Sequence, residues 1–141
     1  MLSKILPRLQ SFRILTVDID NESPGRKSKE NWTLNVTQVL EVSIGVPKNS
    51  NTPPVANVIV ELRAIAKPVD SEVDPAKFSA KYKIVFSFAK ETTADDLNFD
   101  MENAGNMKYF IENQSSLVSL VNFKELLVSS GFSSSKIGYF M

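Results

Sequence analysis

Residues 32–46 read WTLNVTQVLEVSIGV, and this stretch decides the fold. Every second residue belongs to an almost wholly apolar set, while the residues between them are mostly polar. The apolar set is Trp32, Leu34, Val36, Gln38, Leu40, Val42, Ile44 and Val46. Because successive side chains of a strand point to opposite faces, this alternation predicts a long strand with one buried face. A slip of one residue would turn the apolar set to water, so the pattern also determines the register.

Three further segments have the composition of strands: 12–19, 55–67 and 78–89. The loops between the segments are too short for crossover helices, which predicts antiparallel pairing, and a meander is the simplest order. We therefore expect a single sheet with one face rich in Trp, Leu, Val, Ile and Phe, including core positions for Trp32, Phe78, Phe86 and Phe88.

A helix is predicted over 117–130, with Ser115 or Ser116 as its N-terminal cap and Gly131 at its C-terminal end. The expected fold class is α+β: a four-stranded antiparallel, meander-like sheet covered on one face by a C-terminal helix. One domain spans 1–141. We divide it into an N-terminal arm at 1–11, the sheet at 12–89, and a connection, helix and tail at 90–141.

The composition excludes several classes of protein. Sixteen basic residues balance sixteen acidic ones, and the chain has neither cysteine nor histidine. Thiol nucleophiles, histidine-based triads and the usual transition-metal sites therefore cannot be built. We expect that the protein is not an enzyme and that it binds no cofactor, no metal and no nucleic acid. The first twelve residues lack the unbroken apolar run of a signal peptide, and no run approaches a membrane span, so a cytoplasmic protein is expected.

Two surfaces are candidates for contacts with other chains. The predicted helix is apolar over most of its circumference, which favours an oligomer interface. Its residues are Leu117, Leu120, Val121, Leu127 and Val128. The second surface is the less apolar sheet face, which suits either a subunit or an extended client peptide, with ordinary surface apolarity as the alternative. The residues of this surface are Leu15, Val17, Val39, Ile59, Ile65 and Val85.

One short motif resembles a known family. After the Phe-x-Ile that begins at Phe12, the chain has Asp18, Glu22 and Pro24 in the spacing Asp-Ile-x-x-Glu-x-Pro, and Trp32 then opens the long strand. This is similar to the start of SecB, the bacterial export chaperone, and of SecB-like proteins. The order of three long strands, a connection and a late helix also matches in outline over residues 12–135.

The resemblance implies an ATP-independent holdase that binds unfolded or preprotein chains in apolar grooves, without catalysis. It also implies a homo-oligomer, either a dimer or a tetramer built as a dimer of dimers, whose helices pair across the interface. By the same resemblance, Asp18 and Glu22 would contribute to docking on the translocation motor SecA. As turn-forming polar residues at a strand end, they have an equally simple structural explanation.

The chain also departs from the family. Asn21 stands where the family has phenylalanine, the overall charge is neutral rather than acidic, and the end is Tyr139, Phe140 and Met141 instead of an acidic tail. A divergent SecB-like protein with one dedicated client, such as an antitoxin, or one carried by a phage, agrees with these departures. The alternative is a non-enzymatic structural or assembly protein of a phage or secretion system that uses the same surfaces for fixed partners.

Overall fold

A computed structural model describes residues 7–20, 32–45, 54–68, 76–89, 92 and 106–130, and at positions 32, 33, 68 and 106 it describes the backbone alone. Within these residues, the elements are four strands followed by one helix. They are β1 (Arg8–Asp20), β2 (Trp32–Gly45), β3 (Val55–Pro68), β4 (Ala76–Ser87) and α1 (Asn106–Ser129).

The four strands form one antiparallel sheet in the order β1-β4-β3-β2. The predicted antiparallel sheet is confirmed, and β2, β3 and β4 form the expected meander. A simple meander would place β1 beside β2, whereas β1 pairs with β4 at the opposite edge, which gives a Greek-key order. Three strand spacings of about 4.8 Å separate β1 from β2, and the connection 21–31 is long enough to cross that distance.

The alternation of 32–46 sets the pairing of β2 as expected. Leu34, Val36 and Leu40 lie opposite Ala66, Ala64 and Val60 of β3, without irregularity along the whole pair. We call this side, where α1 packs, the inner face, and the other side the outer face. The inner-face positions of β3 and β4 are buried throughout, including the predicted core residues Phe78 and Phe86, and the predicted core residue Phe88 is buried just beyond β4. The side chain of Trp32 lies outside the described residues.

β1 is longer and less regular than predicted. It begins at Arg8, so residues 8–11, expected in the N-terminal arm, belong to the sheet. Its pairing with β4 shifts between Leu9 and Ser11 and again between Ile14 and Thr16. Each shift is a bulge with one extra residue, and beyond Leu15 the faces exchange relative to strict alternation. Val17, which the alternation places on the outer face, therefore lies opposite Ala80 on the inner face.

The helix is also longer than predicted. α1 has 24 residues and starts at Asn106, so Ser115 and Ser116 lie in its middle and do not cap it. At its C-terminal end, the Ser130 backbone N–H donates to the carbonyls of Leu126 and Leu127, and the Ser130 hydroxyl donates to Leu126 at 2.9 Å. Gly131, the expected C-terminal cap, lies outside the described residues. The helix face toward the sheet repeats every fourth residue: Met107, Ile111, Ser115, Ser119, Phe123 and Leu127 are all buried.

Polar contacts fix the position of α1 across the inner face. The Ser116 hydroxyl donates to Oε1 of Gln38 on β2 at 3.0 Å, and the Tyr82 hydroxyl on β4 donates to Oδ1 of Asn122 at 2.9 Å. Gln38 is the one polar member of the apolar set in 32–46, and this hydrogen bond satisfies its amide oxygen. The helix thus lies over β2, β3 and β4, and the fourth strand of the sheet, β1, stays beside it.

Candidate polypeptide-binding surfaces

The inner face of β1 carries a row of apolar side chains beside the helix. Leu9, Ile14, Val17 and Ile19 lie opposite Phe86, Tyr82, Ala80 and Phe78 of β4, so they share the inner face with the core. All four are nevertheless exposed, because α1 packs mainly on β3 and β4. We name these four residues the β1 stripe. Phe12, half-buried among them, stacks on the Tyr82 ring with centroids 5.2 Å apart, which ties β1 to the core.

Several exposed apolar side chains of similar kind, aligned on one strand, form a contiguous patch of the sort that proteins use for contacts. β1 is also an outer strand of the sheet: among the described residues it pairs with β4 alone. Its far edge therefore presents backbone N–H and C=O groups to an added strand. The β1 stripe and this edge together can accept an extended chain.

The six predicted client-binding residues do not share one face of the sheet. Val39, Ile59, Ile65 and Val85 lie on the outer face, where Val39 and Ile65 are exposed and Ile59 and Val85 are half-buried. Leu15 is the exposed extra residue of a β1 bulge, and Val17 lies on the inner face. The placement of Val17 with the other five is therefore corrected, because the bulge at Leu15 reverses the alternation.

The outer-face apolar residues are interspersed with charged residues. Val39 is opposite Glu61, and Ile65 is opposite Lys77. Glu61 also accepts a hydrogen bond from Nε of Arg63 at 2.7 Å. A client side chain placed here would have to displace water from these charges, which weakens an apolar contact.

A groove of about 490 Å³ lies on the outer face at the C-terminal end of β1. Its outer-face lining consists of Asp18 and Asp20 from β1, Lys77 and Ser79 from β4, and Arg63 and Ile65 from β3. Asp18, predicted for SecA docking, is thus an exposed member of this groove, directly opposite Ser79. Glu22, its predicted companion, lies outside the described residues.

The outward face of α1 carries a second apolar row, which we name the helix stripe: Tyr109, Leu117, Val121 and Val128. Leu117 and Val121 are 52% and 46% exposed, whereas Leu127 is 1% exposed. The predicted interface set therefore includes residues of two different surfaces. Leu127 packs in the core of its own chain, so its assignment to an interface is corrected, and Leu120 is half-buried against that core.

Sequence reasoning missed Leu9, Ile14 and Ile19 on β1 and Tyr109 on α1. Both faces of β1 are apolar in sequence, and no local signal marks the bulges that bring these residues together. Tyr109 lies outside the predicted helix, which starts at 117, whereas α1 starts at Asn106. The spacing of Met107 and Ile111, four residues apart and four residues before Ser115, is the sequence signal for an earlier helix start.

The described residues form neither a metal-ion cluster nor a membrane-spanning helix. No group of three or more Asp and Glu side chains within these ranges lies close enough to hold a metal ion. The acidic residues within 70–74 and 95–100 lie outside the described part of the chain. No helix in the described ranges is long and apolar enough to cross a membrane.

Comparisons with known proteins find similarity in structure and none in sequence. No family model matches the chain, and no curated protein sequence matches it. Among solved structures, the chain is similar to the SecB-like chaperone Rv1957 of Mycobacterium tuberculosis, solved in complex with a ChAD peptide from the HigA1 antitoxin. The TM-score is 0.45 at 11% identity, and the similarity covers 83% of this chain and 82% of the mycobacterial chain.

Proposed function

We propose that this protein is an ATP-independent holdase of the cytoplasm that binds unfolded polypeptide chains through the β1 stripe and the adjoining edge of β1. The observation that carries the proposal is the exposure of Leu9, Ile14, Val17 and Ile19 on the sheet face that is buried on β3 and β4. Such a surface recognises apolar side chains without selecting one sequence, which is what a holdase needs.

The expected strength of the interaction also fits a holdase. Covering the exposed half of one such aliphatic side chain contributes about 1 kcal/mol, so the β1 stripe contributes about 4 kcal/mol in all. Alone, that gain is no larger than the cost of the translational and rotational freedom lost on association, which is at least about 4 kcal/mol. Backbone hydrogen bonds from an added strand and the repetition of the stripe in an oligomer strengthen the complex, while each contact remains easy to release.

The experiment is to dilute a chemically unfolded, aggregation-prone reporter into the purified protein, without nucleotide, and to follow light scattering. Suppression near stoichiometric amounts is expected. The variant Ile14→Ser/Ile19→Ser should lose most of it, because it removes two members of the β1 stripe.

The chain offers a matched control on the opposite face. Val39→Ser/Ile65→Ser makes the same kind of change at residues that are 62% and 45% exposed, against 47% and 46% for Ile14 and Ile19. Since both pairs are similarly exposed, circular dichroism should show both variants folded. If the control variant loses suppression and the β1 variant keeps it, the client surface is the predicted outer face. The assignment of client binding to the β1 stripe would then be wrong.

The second candidate function is a structural or assembly protein with fixed partners. The helix stripe favours it, since a rigid apolar helix face with Tyr109, Leu117, Val121 and Val128 exposed suits one permanent interface. The same scattering experiment separates the holdase function from the assembly function. A folded protein that does not suppress the aggregation of unrelated reporters would be assigned to assembly.

We also propose that Asp18 and Glu22 contribute to docking on SecA. Asp18 is available for it, being exposed in the outer-face groove. We expect Asp18→Asn to weaken any binding to SecA, measured by isothermal titration, without changing reporter suppression. No binding of SecA to the unsubstituted protein would separate the holdase function from export.

A further inference from the structure

A cluster of cations lies on the outer face, on the other side of the sheet from the β1 stripe. We name Arg13, Lys81 and Lys83 the basic patch. Arg13 lies directly opposite Lys83 in the β1–β4 pair, and Lys81 follows on the same face of β4. Like charges directly opposite each other destabilise a sheet, so this arrangement costs folding free energy.

The neighbouring carboxylates do not neutralise the basic patch. Glu61 lies opposite Lys81, but it accepts the hydrogen bond from Nε of Arg63. Glu41 shares a row with Lys83, but Ile59 of β3 lies between them, which puts their strands about 10 Å apart. Among the described residues, no carboxylate lies within salt-bridge distance of Arg13, Lys81 or Lys83.

We propose that the basic patch docks an extended acidic segment of a partner polypeptide. Lys81 and Lys83 are two residues apart on one strand face, a spacing of about 7 Å, which equals the repeat of alternate side chains in an extended peptide. Asp or Glu at every second position of such a peptide would meet Lys81 and Lys83 in turn, and Arg13 would reach one of them from β1. The half-buried Val85 and Ile59 flank the patch and offer apolar contact to the stem of the segment.

The same face argues against nucleic acid and membrane surfaces as the occupant. Single-stranded nucleic acid is held by aromatic side chains that stack on bases, and the described outer-face positions of the four strands carry none. Asp18 and Asp20 share the outer face of β1 with Arg13, and a wide phosphate-bearing surface would bring its charges against theirs. A narrow acidic peptide can contact the basic patch and avoid both carboxylates.

The probe is a fluorescein-labelled ten-residue peptide of alternating Glu and Ser, and binding is followed by fluorescence anisotropy at low salt. The test variant is Lys81→Glu/Lys83→Glu. The matched control is Lys67→Glu/Lys77→Glu, which makes the same charge change at two exposed lysines of the same face, farther along β3 and β4. We expect the test variant to bind about tenfold more weakly and the control to change by less than about twofold.

Other outcomes overturn the proposal: no measurable binding of the acidic peptide, equal weakening in both variants, or tighter binding of a ten-nucleotide single strand or of phosphatidylserine vesicles. Circular dichroism checks folding, because Lys83→Glu faces Arg13 and relieves repulsion, whereas Lys81→Glu faces Glu61 and adds repulsion. Lys81→Gln/Lys83→Gln, which creates no like-charge pair, should weaken binding in the same direction as the test variant. The inference goes beyond the holdase proposal and stands independently of it. Ile14→Ser/Ile19→Ser should bind the acidic peptide normally even where reporter suppression is lost.

Discussion

Two serines show how small side chains set the distance between the helix and the sheet. Ser115 and Ser119 are fully buried on the sheet-facing side of α1, and neither hydroxyl has a hydrogen-bond partner among the described residues. A larger residue at either position would push the helix away from β3 and β4. The small serine side chains therefore let the helix pack close to the sheet, while their unpaired hydroxyls lower the stability of the fold.

Ser119→Ala is expected to raise the free energy of unfolding by about 0.5–2 kcal/mol, because it removes an unpaired buried hydroxyl and keeps a small side chain. Ser116→Ala is the matched control in the same helix. Its hydroxyl donates to Gln38, so its loss is expected to lower stability by about 0.5–1 kcal/mol. Urea unfolding of both variants checks the pair. If the two variants shift stability in the same direction by the same amount, Ser119 has a partner after all.

Tyr82 joins the helix, β4 and β1 through one side chain. Its hydroxyl donates to Asn122, and its ring stacks on Phe12. Burial raises the pKa of the Tyr82 phenol from 10.0 to about 12. The neutral phenol is therefore favoured in the folded state, while the unfolded chain releases its proton at lower pH.

As the pH rises from 10 toward 12, the unfolded state loses the Tyr82 proton and the folded state retains it. The free energy of unfolding is thus expected to fall over this window, by about 1–3 kcal/mol from this group. Tyr82→Phe should lose that part of the slope, although it also leaves Oδ1 of Asn122 unpaired. Urea unfolding of both proteins at pH 9 and pH 11.5 provides the test, since lysine titration is common to the two. Equal slopes would show that Tyr82 titrates normally in the folded state.

At the scale of the element, the two bulges of β1 decide which residues become available. The bulge between Ile14 and Thr16 moves Val17 and Ile19 to the inner face, where they continue the row begun by Leu9 and Ile14. Bulges also bend an edge strand and interrupt its hydrogen-bonding edge, which limits uncontrolled pairing with other sheets. The bulges thus bring the residues of the β1 stripe onto one face and limit which strands can pair with the edge of β1.

The helix has two apolar faces with different expected roles. Leu117→Asp/Val121→Asp changes the outward helix stripe, which we propose as the interface of a homo-oligomer, so we expect a folded protein of smaller assembly mass. Leu127→Asp puts a charge in the core, and we expect it to lose about 3–5 kcal/mol of stability and most of its fold.

Size-exclusion chromatography with light scattering gives the assembly mass, and circular dichroism reports the fold of each variant. A mass that stays the same in a folded Leu117→Asp/Val121→Asp variant would remove the helix stripe from the oligomer interface. A folded Leu127→Asp variant would contradict the inward orientation of that residue.

The whole molecule presents different chemistry on the two sides of one sheet. The inner side offers apolar contact at the β1 stripe, and the outer side offers charge at the basic patch. One partner chain could therefore engage both only by passing around the edge of β1. We therefore expect that two partners, one unfolded and one acidic, bind at the same time.

Salt should separate these two surfaces in the intact protein. At about 1 M salt the Debye length is about 3 Å, so binding of the acidic peptide should be lost, whereas reporter suppression through apolar contact should be retained. Anisotropy and light scattering at about 0.1 M and about 1 M sodium chloride measure both. Loss of suppression at high salt would mean that charges hold the client.

Much of the sheet could be predicted because its signals are local. The alternation in 32–46 determined the strand, its face and its register, and similar patterns located β3 and β4 to within about two residues. The candidate surfaces could not be predicted to the same degree. Val17 and Leu127 were placed on the wrong surfaces because exposure depends on which face a neighbouring element covers.

The sequence by itself therefore determined the elements, their antiparallel pairing and the composition of the core, since side-chain periodicity acts between residues two to four positions apart. Only the tertiary structure decided that β1 joins β4, that its bulges turn Val17 and Ile19 inward, and that α1 covers β3 and β4 and leaves the β1 stripe exposed. The reason is physical: strand order and helix position depend on packing between residues distant in the chain, and no local pattern encodes that choice.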